Sequence, residues 1–202
     1  MITTPALPVL VLAAGRSARM GTRDKLMEVV DGRPLIRRLV ERVSAAGLEP
    51  WVALPGADHP RARALVGLAH RALVLPGSAE GMGGTLREGV GALPPCPRFM
   101  VLAADLPGLT AADLACVAGA DPEGALIVIA TDSAGALGHP VVFDAELRAG
   151  FAGLAGDQGA RAVVAANRGR MRTVALPGDH ATRDLDTPAE WAAWRAETGE
   201  LG

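Results

Sequence analysis

Tyrosine is absent from the 202 residues, and aromatic residues make up only 3% of them. A core cannot then rest on stacked rings and must be built from Ala, Val and Leu, which a 50% hydrophobic composition supplies. Cysteine is nearly absent as well. Cys96 and Cys116 stand in no CxxC or Cys/His ligand spacing, so they read as two reduced thiols rather than a zinc site or a disulfide framework. No apolar run approaches the roughly 20 residues that span a bilayer, and the N-terminus lacks a basic segment leading into an apolar stretch and a cleavage site. The expectation is a cytoplasmic protein with no membrane partner. An excess of one charge is missing too. Twenty basic and 22 acidic side chains leave a net charge of −2, with no general attraction for nucleic acid or anionic lipid.

What is present is alternation. Short apolar runs at Pro8 to Ala13, Glu49 to Leu54, Arg71 to Leu75, Phe99 to Ala104, Leu126 to Ala130 and Met171 to Leu176 read as strands. Helical spacing of apolar residues falls between them, at Pro34 to Ala46, Pro60 to Leu68, Met82 to Val90, Thr110 to Val117, Asp157 to Ala166 and Pro188 to Ala196. Thr110 and Thr187 are expected as N-caps. The stretch TDSAGALGHPVVF is expected to make a hairpin-like excursion. Strand, loop and helix repeating in this way imply one α/β domain over residues 1–202, with helices on both faces of a sheet and a ligand at its carboxyl edge.

Four stretches carry chemistry. In LAAGRSARMGTRDKL, Ala13, Ala14 and Gly15 are small enough to let a backbone approach a planar ligand, and Arg16, Arg19, Arg23 and Lys25 cluster cations around one loop, as an oligophosphate requires. The glycine spacing fits neither a Walker loop nor a dinucleotide fingerprint. Asp105 follows an apolar strand and is placed to hold Mg²⁺, although a turn residue before Pro107 is the plainer reading. In Asp184-Leu185-Asp186-Thr187-Pro188 the two carboxylates are expected to diverge, so that only one meets a metal at Asp105. In the PGSAEGMGGT stretch, four glycines in eight residues are expected to leave free N–H groups and room for a base or ribose.

Taken in order, LAAGRSARMG with its following lysine, GMGGTL, ADLP, GHPVVF, GDQGAR and DLDTPAE resemble the molybdenum cofactor nucleotidyltransferases, most of all the molybdopterin cytidylyltransferases. The resemblance runs from Val9 to Trp194. It implies a mostly parallel, mixed sheet of the nucleotide-diphospho-sugar transferase type, Rossmann-like in outline. It implies Mg²⁺-dependent transfer of CMP from CTP to a phosphate monoester such as molybdopterin, with pyrophosphate released and a molybdoenzyme as client. By that resemblance the nucleotide lies along Leu12, Ala13, Ala14, Gly15, Gly81, Met82, Gly83, Gly84 and Thr85, with Arg19 and Lys25 on its phosphates. Asp105 and Asp186 hold the metal, Lys25, Arg19 and Asp105 act in catalysis, and His139, Asp157 and Arg161 face the acceptor. Relatives that use GTP carry LAGG, so Ala14 favours CTP. Guanylyl or sugar-phosphate transfer is one alternative, and a non-catalytic cofactor-binding accessory protein is another.

Overall fold

A computed structural model describes residues 6–200; the extremes of the expected span, residues 1–5 and 201–202, lie outside them. The first strand, β1 (Pro8–Leu12), enters a loop and a short antiparallel pair, β2 (Val29–Val30) with β3 (Arg33–Pro34), which the sequence reading did not anticipate. Helix α1 (Leu35–Ala45) follows, then β4 (Glu49–Leu54), the short α2 (Pro60–Ala64) and β5 (Arg71–Val74). Next come α3 (Met82–Ala92), β6 (Arg98–Ala103) and α4 (Ala111–Gly119). The chain continues through β7 (Ile127–Thr131), β8 (Leu137–Asp144), α5 (Arg148–Ala152), α6 (Arg161–Ala166), β9 (Met171–Ala175) and α7 (Pro188–Thr198).

Seven strands form one sheet in the order β5-β4-β1-β6-β8-β7-β9. Pairing is parallel except for β8, which runs antiparallel to both β6 and β7. The hairpin-like excursion is thus a β7–β8 hairpin whose second strand is wedged into the middle of the sheet. Helices expected at Pro60 to Leu68 and Asp157 to Ala166 are shorter, ending at Ala64 and starting at Arg161. Gly67, at positive φ, lies in the part of the first stretch that does not coil, and Gly156, also at positive φ, turns the chain just before the second.

Successive strand residues point to opposite faces, and two cores result. Val9, Val11, Val52, Leu54, Met100 and Leu102 pack with Leu39 of α1, Leu114 of α4 and Trp191 of α7. Leu10, Ala53, Phe99 and Val101 pack on the other face with Leu86 of α3, Phe151 of α5 and Val163 of α6. All three phenylalanines of the chain meet there, with ring centroids 5.0–5.7 Å apart. From β1 the strand order first moves outward through β4 to β5 and then resumes on the other side at β6. The gap between the carboxyl ends of β1 and β6 is therefore the point where α/β sheets bind ligands.

Candidate active site

The loop after β1 and the loop after β6 open on this edge, in a cleft of about 1100 Å³. Its lining includes Leu12, Ala14, Gly15, Arg16, Arg19 and Lys25 from the first loop. Gly81, Met82 and Thr85 come from the start of α3, Asp105 from the end of β6, and Asp157 from the turn before α6. His139 and Arg161 lie outside this lining.

Three carboxylates gather here. Asp105, Asp184 and Asp186 each offer an oxygen within 4.8 Å of the others. The expectation that Asp184 and Asp186 diverge is overturned. Residues two apart along an extended stretch share a face, and Leu185 between them turns inward, 1% exposed. Backbone bonds fix the arrangement: the Leu185 amide donates to the Asp105 carbonyl (3.3 Å). Glu190 accepts from the Asp186 and Thr187 amides (2.8 Å each) in the capping box that starts α7. Arg42 of α1 donates to the carbonyls of Pro107 and Leu109 and so braces the turn that follows Asp105.

Lys25 Nζ donates to Asp105 (2.5 Å) and Asp186 (2.6 Å), and Arg19 pairs with Asp186 at 2.6 Å. Burial pushes the Lys25 pKa down, but Asp105 and Asp186 outweigh it and the net shift is upward. Burial, then the charges of Asp105 and Asp186, hold the Asp184 carboxyl above the usual carboxylate range. Three oxygens of this kind are a hard donor set, suited to a divalent cation that takes carboxylates, phosphate oxygens and water.

Two glycines of the PGSAEGMGGT stretch are closely packed. A methyl group on Gly84 would lie 1.9 Å from the Gly77 carbonyl oxygen, and one on Gly83 would lie 2.7 Å from the Ala155 backbone. The Gly83 amide already donates to the Gly156 carbonyl (2.8 Å). Gly83 and Gly84 thus let two turns close on α3, while Gly81 remains in the cleft lining. Thr85 is 5% exposed and donates to the Gly81 carbonyl within the helix start. His139 is partly buried, its Nδ1 lies 3.3 Å from the Val101 carbonyl, and burial lowers its pKa. Gly138 before it is packed so tightly that a methyl group would lie 2.0 Å from the Ala181 carbonyl, which docks the turn leading to Asp184.

Two partners escaped the sequence reading altogether. Arg61 of α2 is 3% exposed and grips Asp24 in a two-pronged pair, both contacts at 2.7 Å. Burial raises the Asp24 pKa, but Arg61 and the Leu26 and Ser17 donors bring it below its ordinary value. Asp184 joins the cluster although only one carboxylate of its pair is expected there. Its neighbour Asp186, two residues on, was the available signal; for Arg61 there was none.

A cleft at the switch point of a mostly parallel sheet, with cations facing a carboxylate cluster, defines the class: an α/β domain of the nucleotidyltransferase type. Matching over residues 9–173, the chain belongs to the MobA-like NTP transferase domain family. It is 36% identical over 114 residues to the molybdenum cofactor guanylyltransferase of Bradyrhizobium sp. (strain ORS 278), covering 53% of this chain and 51% of that one. The chain thus spans about half the length of that relative. It is 27% identical over 190 residues to the nicotine blue oxidoreductase of Paenarthrobacter nicotinovorans, covering 91% and 93%. Among solved structures, Rv0371c from Mycobacterium tuberculosis H37Rv superposes with a TM-score of 0.80 at 24% identity, over 95% of this chain and 98% of that one. Its manganese complex gives 0.76 at 22%, over 94% and 97%. A nucleotidyl transferase from Methanothermobacter thermautotroptrophicus gives 0.75 at 22%, over 95% and 97%. At these identities the structural likeness establishes the fold. Among the described residues, no helix is long and apolar enough to cross a membrane.

Proposed function

We propose that this MobA-like nucleotidyltransferase transfers CMP from CTP to a phosphate monoester acceptor of the molybdopterin type. The observation that carries nucleotidyl transfer is the meeting of Lys25 and Arg19 with Asp105, Asp184 and Asp186 at the cleft. An oxygen of the acceptor phosphate attacks the α-phosphorus of the nucleotide. The bond from that phosphorus to the β-phosphate bridging oxygen breaks, and pyrophosphate leaves with the electron pair. The monoester is already ionised at neutral pH, its second pKa being about 6, so positioning and charge neutralisation matter more than a base. Lys25 and Arg19 are the cations available to offset charge on the leaving pyrophosphate. Asp105, Asp184 and Asp186 would hold Mg²⁺, which supplies a Lewis acid for the phosphate oxygens.

Ala14 favours the pyrimidine nucleotide. It is half-buried in the cleft wall, where a methyl group narrows the space beside a base edge. Guanylyl transfer is the second reading, and the likeness to a guanylyltransferase favours it. Pyrophosphate release with molybdopterin as acceptor, and with CTP and GTP in competition, tests both. The expected result is a higher kcat/KM for CTP, relaxed in part by Ala14→Gly, because one contact is worth about 1–3 kcal/mol. A wild-type preference for GTP overturns the cytidylyl reading. In the same assay, Asp105→Asn is expected to fold normally and lose at least a hundredfold in turnover. Absence of pyrophosphate release from wild-type protein would leave the accessory, cofactor-binding role.

A further inference from the structure

Arg61 is the most deeply buried charged side chain among the described residues, and its contacts all belong to the loop after β1, which lies 37 to 48 residues earlier in the chain. Its Nη1 donates to the Ala13 carbonyl (2.6 Å) and to the Gly15 carbonyl (2.8 Å). Its Nε and Nη2 hold Asp24, and Nη2 also reaches the Ser17 hydroxyl (3.2 Å). Asp24 completes the frame by accepting from Ser17 Oγ (3.1 Å) and from the Leu26 amide (3.0 Å). The Lys25 amide donates to the same Ser17 oxygen (3.1 Å).

The consequence follows from peptide geometry. A trans peptide is planar, with its C=O and N–H directed oppositely. A carbonyl drawn onto the Arg61 guanidinium therefore turns the amide of the next residue away from it. The Ala13 carbonyl fixes the Ala14 N–H in this way, and the Gly15 carbonyl fixes the Arg16 N–H. Ala14 and Arg16 both line the cleft, and among the described residues neither amide has an acceptor in the protein. Two preset donors beside a cluster of cations form a concavity for an oxygen-rich ligand. Burying a guanidinium is costly unless it is fully paired, and here every pairing goes to the loop that presents those donors.

We infer that Arg61 is a positioning residue for the nucleotide: it holds the loop from Ala13 to Asp24 so that the amides of Ala14 and Arg16 meet the ligand. This inference rests on the reading of the cleft as a nucleotide site. Arg61 stands in the cleft wall, but its side-chain hydrogen bonds all go to the loop, and it acts through the loop. Lysine cannot replace it, because a single ammonium cannot span two carbonyls, a hydroxyl and both carboxylate oxygens.

The test compares wild type, Arg61→Lys and Asp24→Asn. CTP and GTP binding are measured by calorimetry with Mg²⁺, and steady-state KM and kcat by pyrophosphate release. Arg61→Lys is expected to raise Kd and KM for the bound nucleotide at least tenfold. KM for the acceptor and kcat at saturating nucleotide should stay within about threefold, the pattern of lost binding that substrate and transition state share. Asp24→Asn leaves Arg61 on the two carbonyls and should give a smaller rise in the same direction. Should Arg61→Lys fail to fold by circular dichroism, Asp24→Asn carries the test. A variant that is merely damaged loses active molecules, lowering kcat at unchanged KM, and that result overturns the inference. Nucleotide affinity equal to wild type in both variants overturns it as well, while leaving the nucleotide site standing. A wild-type protein that binds neither CTP nor GTP overturns the reading of the cleft and the inference with it.

Discussion

Lys25 stands between two of the carboxylates proposed to hold a metal ion, so the two cations would be alternatives for the same oxygens. Removing the ammonium leaves Asp105, Asp184 and Asp186 facing one another without it. Lys25→Met is expected to lose about 1–2 kcal/mol of stability in chelator. Mg²⁺ should raise its melting temperature more than that of wild type, since no lysine competes; equal shifts would sink the idea. The two shifted aspartates give stability opposite dependences on pH. Asp24 is held below the ordinary value of 3.8, so its contribution is present above that pH and is lost as pH falls through the lowered pKa. Asp184 is raised, so its contribution is full below 3.8 and is lost as pH rises through the raised value. In metal-free buffer, Asp24→Asn should flatten the acid limb of denaturant-derived stability, and Asp184→Asn should stabilise the protein at pH 7. The opposite signs would contradict both assignments. Legibility at this scale was uneven. Residue types and order marked Lys25, Arg19, Asp105 and Asp186 as candidates. Arg61 was invisible, because in HPRARA nothing separates it from Arg63, which stays at the surface and donates to the Asp58 carbonyl.

Helix α3 shows how an element can be set by its neighbours. Gly84 lies against Gly77, and Gly83 against Ala155, so the Pro76–Glu80 turn and the Ala155–Asp157 turn are both fitted to one helix start. Gly91 near the other end of the helix meets nothing within 4 Å. The two positions make an internal control. Gly84→Ala should cost at least about 3 kcal/mol by overpacking against backbone, or about 6–12 °C in Tm for a chain of this size. Gly91→Ala should be neutral or gain up to about 1 kcal/mol. Equal effects in thermal melts would show that the glycines are not there for close packing. The glycines were visible in the sequence, but their purpose was not, because Gly84 faces a turn that folds back from Gly77 and Gly83 faces Ala155, 72 positions later. Strand existence was easier to read, since apolar runs and helical spacing are local. The insertion of β8 between β6 and β7 was not, because strand order is decided by pairing between segments far apart in the chain.

At the scale of the whole molecule, parallel β4, β1 and β6 deliver their loops to one edge, and α7 brings in Asp184 and Asp186 from the end of the chain. The acidic site thus joins segments some 80 residues apart, and it exists only when the sheet is assembled and α7 is docked. That docking is made by Trp191 and Trp194, which meet edge to face at 5.9 Å and are nearly fully buried. The Trp191 amide donates to the Thr187 carbonyl, one residue past Asp186. With no tyrosine in the chain and only one other tryptophan, Trp51, ultraviolet emission is an unusually local signal. In a Trp51→Phe background every emitted photon comes from the helix that follows the acidic pair. A divalent-cation titration should then produce a saturable change in emission that Asp186→Asn abolishes, and a flat response would place the cation elsewhere. On the proposed reading, the protein carries its own optical gauge of whether a cation fills the acidic cluster.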